Sequence, residues 1–251
     1  MFQPKLIVTD LDGTVLKNDK TLSSETIHAF TACHNAGIPI AIATARYIKG
    51  AQPFAEALHA DYQLLTDGTL VYEGTRLIYS DAMELSTTNA ILQELIRYDC
   101  LSHIAIPTTK GLFRYPEVPI GDNYSFFFPI NEPFPYEANK MVVELPKPQI
   151  AEAIARTCHC AQFRYHNENR YTFYSKTAGK LGAIRFLADK LSISLDDVLV
   201  FGDDINDIDM IAYCGHGVAM GNALERVKNA ADEITDSNEQ NGVAKVLTRY
   251  I

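Results

Sequence analysis

The apolar run Leu6-Ile7-Val8 breaks off into Asp10, Asp12, Gly13 and Thr14, and that break constrains the fold more than any other stretch of the chain. A short run with β-branched residues suits a strand buried on both faces, as in a parallel sheet. Gly13 lets the backbone leave the strand through a conformation closed to other residues. In an open parallel sheet, ligands bind beyond the carboxyl ends of the strands, which is where this acidic pair would stand. Two carboxylates that close repel each other, so the pair implies a cation or a shared proton. Taken alone, the same residues also read as an Asp-rich turn, and the other segments have to decide.

The next segments set up a rhythm. Ser23 is placed to cap a helix with Glu25 in its first turn. Ile27, Phe30 and Cys33 to His34 give that helix its stripe, and Gly37 stops it. Residues 38–43 read as a second buried strand, ending in Thr44-Ala45-Arg46. A hydroxyl and the amides after it can hold a phosphate at the start of the following helix, although a plain strand-to-helix cap looks the same. Residues 48–59 read as that helix, with Pro53 in the first turn or bending it. Residues 62–65 form a third strand, then Asp67-Gly68, then a hairpin of 69–72 and 76–79 around Glu73-Gly74. Strand, helix, strand, helix, strand is a doubly wound α/β pattern.

The rhythm then changes. Residues 86–98 read as a capped helix, and 103–106 and 112–115 as strands around Lys110-Gly111. Residues 116–137 are rich in proline and aromatics. Their Phe126-Phe127-Phe128 run reads as buried core or an ordered loop over a pocket in preference to an exposed hydrophobic edge. A strand at 140–145, a helix at 150–158 and a hairpin of 163–166 with 171–174 complete a separate α+β module.

From Gly179 the α/β pattern returns. Lys180 opens a helix with Leu181, Ile184, Leu187, Ala188 and Leu191 on one face. Residues 198–201 form a strand that ends in Gly202-Asp203-Asp204-Ile205-Asn206-Asp207, a second acidic cluster at a strand's carboxyl end, with Asn206 and Asp207 opening the next helix. Strands at 218–220 and 233–235 and helices at 223–231 and 242–249 close the chain. The expected fold is therefore α/β: a doubly wound, Rossmann-like parallel sheet built from residues 1–81 and 178–251, with an α+β domain of residues 82–177 inserted.

Composition excludes several classes. The 251 residues are 47% hydrophobic and 21% charged, as in an ordinary globular protein with room for one core domain and an insert. The net charge of −9, with no basic stripe, argues against a nucleic-acid partner. No signal peptide is visible at the N-terminus and no apolar stretch approaches membrane-spanning length, so no membrane partner is expected. The five cysteines are odd in number and scattered, which suits free thiols and a cytoplasmic location. Cys158-His159-Cys160 has no second ligand pair at zinc spacing and reads as structural. An acidic chain can still bind phosphate through a local site of amides, lysine and metal.

Asp10 with Asp12, Thr44, Lys180, and Asp203 with Asn206 and Asp207 all point at one rim of the sheet. Their types are complementary. Carboxylates suit a hard cation such as Mg²⁺, which bridges to phosphate oxygens. Lys180 and the amides after Thr44 neutralise phosphate charge that the carboxylates would repel.

The order D-x-D-G-T, Thr-x-Arg, a later Lys and G-D-x-x-N-D resembles the haloacid-dehalogenase-like phosphohydrolases over the full length of the chain. Residues 202–247, with Gly217-Val-Ala-Met-Gly-Asn222, Lys228-Asn-Ala-Ala-Asp232 and Asn241-Gly-Val243, look like the Cof-type branch. The resemblance implies Asp10 as a nucleophile that forms an aspartyl-phosphate. It implies that Asp12 protonates the leaving oxygen and then activates water, while its backbone carbonyl ligates Mg²⁺. Thr44, the Ala45 amide, Lys180 and Asn206 would hold the phosphoryl group. Asp10 and Asp203 would ligate Mg²⁺, with Asp207 a ligand or just behind one. Residues 82–177 would be the cap that closes over the substrate and sets specificity. The expected partner is a small phosphorylated metabolite, such as a sugar phosphate, and the chain a monomer or weak homo-oligomer.

Two positions depart from the family pattern. Ala45 stands where glycine is common, which matters only if φ is positive there. Asp67-Gly68 stands where relatives carry Asn-Gly; the extra charge either changes substrate preference or simply holds the turn. The rival functions are a phosphomutase, a phospho-receiver module and a non-catalytic phosphometabolite-binding protein. Receiver modules are shorter and lack the second Asp, and the intact Asp10, Asp12 and Lys180 argue against a mere binding protein.

Overall fold

A computed structural model describes residues 2–117, 125–165 and 168–251. The chain divides into two compact units, Met1–Tyr79 with Gly179–Ile251, and Ser80–Ala178. It opens with β1 (Leu6–Thr9), α1 (Ser24–Asn35), β2 (Ile40–Ala43), α2 (Ile48–Ala57) and β3 (Tyr62–Leu65), then β4 (Leu70–Glu73) and β5 (Arg76–Ser80). The second unit follows with α3 (Leu85–Arg97), β6 (Ile104–Thr108), β7 (Gly111–Tyr115) and β8 (Ser125–Phe127), then β9 (Met141–Glu144), α4 (Pro148–Thr157), β10 (Ala161–Arg164) and β11 (Arg170–Tyr174). The chain returns through α5 (Lys180–Leu191), β12 (Val198–Gly202), α6 (Ile208–Tyr213), β13 (His216–Ala219), α7 (Glu225–Lys228), β14 (Glu233–Ile234) and α8 (Gly242–Leu247).

The first unit is an eight-stranded sheet in the order β14-β13-β12-β1-β2-β3-β4-β5. It is parallel from β14 to β3, and β4 pairs antiparallel with β3. Every residue of β1, β2, β3 and β12 is buried, as strands covered on both faces require. β1 lies between β12 and β2, with Leu6 opposite Val198 and Ile7 opposite Ile40. The strand order reverses there, which opens a crevice at the carboxyl ends of β1 and β12.

Local chemistry explains where elements start and where expectation missed. Ser23 caps α1, its hydroxyl accepting the Thr26 N–H at 3.0 Å. The buried face of α1 is Thr26, Ala29, Phe30 and Cys33, a helical i, i+3, i+4, i+7 set; Ile27 is only half-buried and His34 is exposed. β2 begins at Ile40 because Pro39 has no N–H to give the ladder. Pro53 stands inside α2, beyond its first turn. α3 starts at Leu85, and its cap residue Glu84 makes no side-chain cap bond. Asn206 and Asp207 lie in a 3₁₀ turn, Ile205–Asp207, ahead of α6, and the helix expected at 223–231 shortens to α7.

The second unit is a six-stranded sheet in the order β10-β11-β9-β6-β7-β8, antiparallel except for the β7–β8 pair. It has its own apolar cluster, which includes Ile91, Leu95, Ile104, Val143, Tyr171 and Phe173. Of the Phe126–Phe128 run only Phe128 is buried. Phe126 and Phe127 are 58% and 51% exposed on the edge strand β8, so for two of the three rings the run is neither buried core nor a loop. Residues 118–124 of the proline-aromatic stretch, and His166 of the expected hairpin, lie outside the described residues.

Candidate active site

Strand ends deliver the charged groups. Asp10 follows β1, and its N–H bonds to the Phe201 carbonyl of β12 at 3.1 Å. Lys180 heads α5 behind Gly179, whose φ of +155° suits glycine. The Lys180 ammonium is buried and donates to Asp10 Oδ1 at 2.8 Å and to Asp207 Oδ1 at 2.6 Å. Asp207 Oδ2 accepts the N–H groups of Asp203 and Asp204 at 3.0 and 3.1 Å, which closes the capping box of the 3₁₀ turn. Gly202 is needed beneath it, since a Cβ there would stand 2.5 Å from Asp207 Cβ.

The β1 loop packs directly on Asp203. Thr14 donates its hydroxyl to Asp203 Oδ1 at 2.7 Å. Gly13 has a φ of +83°, and a Cβ on it would lie 2.2 Å from Asp203 Oδ2. Only glycine fits both constraints.

Asp10, Asp203 and Asp207 each bring a carboxylate oxygen within 4.8 Å of the others. An all-oxygen set of this kind fits a hard divalent cation. Asp10 Oδ1 accepts from Lys180 and Asp203 Oδ1 from Thr14, and both oxygens of Asp207 accept hydrogen bonds. Burial pushes Asp10 well above the usual carboxylate range, opposed by Lys180 and reinforced by Asp207 and Asp203. Burial and the neighbouring Asp207 push Asp203 up to about 7, against the Thr14 hydroxyl and Lys180. Burial disfavours the Lys180 charge, but Asp10 and Asp207 carry it above the ordinary lysine value. Crowded like charges in low dielectric call for a counter-cation.

Arg46 and Lys20 hold the Asp12 carboxylate, Lys20 Nζ at 2.8 Å. Burial works against ionisation there, yet these two cations hold the group down at about 2. Its carboxylate stands outside the Asp10–Asp203–Asp207 group.

Thr44 is buried at the end of β2, on the same sheet edge as Asp10, and its hydroxyl accepts the Arg46 N–H at 3.2 Å. Ala45 is half-buried and has no positive φ, so alanine stands there without backbone strain. Asn206 donates to Asp67 Oδ1 at 3.0 Å. Thr66, Asp67 and Gly68 all have positive φ, and a Cβ on Gly68 would meet the Gly179 carbonyl at 2.5 Å. That turn is pressed against the backbone leading into Lys180. Thus Asp10, Lys180, Asp203 and Asp207 meet directly, Asn206 is tied to Asp67, and Asp12 is tied to Arg46. Lys20 and Thr14 are participants that motif reading passed over. Thr14 lay inside the quoted motif, whereas nothing local marks Lys20.

With this geometry in place, the comparisons decide the family. A family model described as haloacid dehalogenase-like hydrolase matches residues 7–247. This chain belongs to that family. The solved HAD subclass IIB sugar phosphatase BT4131 has a similar fold, superposing with a TM-score of 0.85 at 22% identity and covering 98% of each chain. A 5-amino-6-(5-phospho-D-ribitylamino)uracil phosphatase of Bacillus subtilis is 27% identical over 256 residues, 98% of this chain and 96% of the relative. A phosphoglycolate phosphatase of Archaeoglobus fulgidus is 27% identical over 251 residues, 98% and 97%. No helix among the described residues is long and apolar enough to cross a membrane.

Proposed function

We propose that this hydrolase is a Mg²⁺-dependent phosphatase that cleaves a small phosphorylated metabolite through an aspartyl-phosphate on Asp10. It is a phosphomonoester hydrolase, and its named relatives act on a ribitylaminouracil phosphate, phosphoglycolate and sugar phosphates. The observation that carries the mechanism is Lys180 held between Asp10 and Asp207 beside Asp203.

Asp10 Oδ2 attacks phosphorus and the P–O bond to the leaving alkoxide breaks. Asp12, once it has left Arg46 and Lys20 and taken a proton from solvent, gives that proton to the leaving oxygen and then takes one from the water that hydrolyses the acyl phosphate, so the proton balance closes. Thr44, the Ala45 amide, Lys180 and Asn206 hold the phosphoryl oxygens. Mg²⁺, with Asp10, Asp203 and the Asp12 main-chain carbonyl as ligands and Asp207 adjoining, would supply neutralisation of charge between nucleophile and phosphate. The residue 82–177 insert is read as the part that distinguishes substrates. The five free cysteines are all buried, which supports a reducing, cytoplasmic setting.

A phosphate-release screen over sugar phosphates, nucleotides and cofactor phosphates, with Mg²⁺ and with EDTA, tests this. Turnover that needs Mg²⁺ and is absent in Asp10→Asn is expected. Release that persists undiminished in EDTA, or in Asp10→Asn, would sink the mechanism.

A further inference from the structure

The loop after β1 is gripped by two asparagines that no step above uses. Asn222 lies three residues past the end of β13, and its side-chain N–H donates to the Gly13 carbonyl at 2.8 Å. Its side-chain oxygen accepts the Asn238 N–H at 2.9 Å. With a donor on one side and an acceptor on the other, the orientation of the amide is determined. Asn238 is buried, and its own amide donates to the Leu16 carbonyl at 2.9 Å and to Asn18 Oδ1 at 3.2 Å. The two asparagines therefore hold the loop at Gly13 and at Leu16, and hold each other.

The segment carrying Asn222 is also bonded to the opposite side of the acidic group. Met220 N–H reaches the Gly202 carbonyl and Leu224 N–H the Asp203 carbonyl, both at 3.1 Å. One short segment thus touches the backbone of Asp203 and the backbone of Gly13. Those are the surfaces that press together where a Cβ on Gly13 would stand 2.2 Å from Asp203 Oδ2 and Thr14 bonds Oδ1. Fixing the Gly13 carbonyl fixes the plane of the Gly13–Thr14 peptide, because the peptide is rigid.

We propose that Asn222 is a positioning residue for the divalent cation, setting the spacing between the Asp10–Thr14 loop and Asp203 through the Gly13 carbonyl. This rests on the proposed use of Asp10 and Asp203 as metal ligands. A group behind the ligands that orients them typically governs affinity by 10- to 100-fold. Asn222 is itself exposed, so shortening it opens no cavity and removes no core contact. Its effect on metal binding is thereby separable from its effect on folding.

The test is direct binding of Mn²⁺, followed by electron paramagnetic resonance, to wild type, Asn222→Ala and Asn222→Asp, with melting curves in EDTA. Asn222→Asp keeps the acceptor for Asn238 but turns a carboxylate toward the Gly13 carbonyl. Without metal, Asn222→Asp should melt within about 2 °C of wild type and Asn222→Ala, which also loses the acceptor for the Asn238 N–H, cooperatively and no more than several degrees lower; both should bind Mn²⁺ roughly 10-fold or more weakly. KM for a small aryl phosphate at saturating Mg²⁺ should change little. Wild-type Mn²⁺ affinity in either folded variant would overturn the proposal, as would loss of the metal-free melting transition in both, which would make the residue structural. Wild-type protein that binds Mn²⁺ but releases no phosphate would count against the proposed function alone; wild-type protein that binds no Mn²⁺ would overturn the metal site.

Discussion

Arg46 forks onto Asp12, its Nε donating to Oδ2 and a terminal nitrogen to Oδ1, each at 2.7 Å. The guanidinium is itself anchored, with another terminal nitrogen on the Gly50 carbonyl at 2.9 Å and its plane over the Phe54 ring at 4.8 Å. Such paired bonds are among the stronger and more directional ones. Asp12 is therefore held as a carboxylate, and the acid role proposed for it requires loosening this fork.

Asp12→Asn should accordingly lose most activity on alkyl phosphates, whose alkoxide needs a proton to leave. An activated aryl phosphate has a weakly basic leaving group and should suffer less in the first step. Single-turnover phosphorylation with both substrates checks this, and equal losses would remove the general-acid role from Asp12.

Asp10→Asn should keep the fold, because Lys180 retains Asp207 as a partner at 2.6 Å, while turnover falls by several orders of magnitude. Circular dichroism and steady-state kinetics together check it; rates near wild type would exclude Asp10 as nucleophile.

Asp203 gives a stability prediction with a definite sign. Its folded pKa of about 7 lies above the ordinary 3.8, so between those values the folded state holds a proton that the unfolded chain has released. Stability contributed by Asp203 is then present below about pH 4 and lost as pH rises through 7. Metal-free protein should melt at lower temperature at pH 8 than at pH 5.5 on this account. Mg²⁺ should raise the melting temperature more at pH 8, because its ligands must be deprotonated. In Asp203→Asn the metal-free pH dependence should flatten and the Mg²⁺ shift should shrink. A Mg²⁺ shift that is the same in wild type and Asp203→Asn would remove Asp203 from the metal's ligands.

Each unit has its own apolar cluster, and all the charged groups of the site belong to the first. Replacing residues 82–177 with a short flexible linker should therefore leave slow, Mg²⁺-dependent hydrolysis of a small aryl phosphate. Discrimination among larger phosphometabolites should collapse with the loss of binding energy from the non-reacting part of the substrate. A soluble, folded core that keeps the parent's substrate ranking would place specificity in the core instead.

The sheet and its acidic rim were readable because buried parallel strands leave unbroken apolar runs, and the runs at Leu6 and Val198 end in carboxylates. Side-chain direction was not readable. Nothing in Thr44-Ala45-Arg46 says that Arg46 turns onto Asp12, because that depends on how far β2 runs beside β1. Lys20 was hidden for a similar reason: it reaches Asp12 from a residue with a φ of +66°, a conformation that sequence rarely signals for lysine. The phenylalanine run misled because nothing in it says that Phe126 and Phe127 lie on an edge strand, β8, while Phe128 falls just past its end and packs into the core.

The position of β1 has a consequence in time as well as in space. It is hydrogen-bonded to β12 and β2, and the Asp10 N–H is itself tied to the Phe201 carbonyl. Central, fully buried strands are the segments whose amides exchange with solvent only when the whole domain opens, whereas edges and loops open far more often. Asp10, the proposed nucleophile, thus hangs from backbone whose amides should exchange only on opening of the whole domain, whereas those of the edge strands β14 and β5 should exchange sooner.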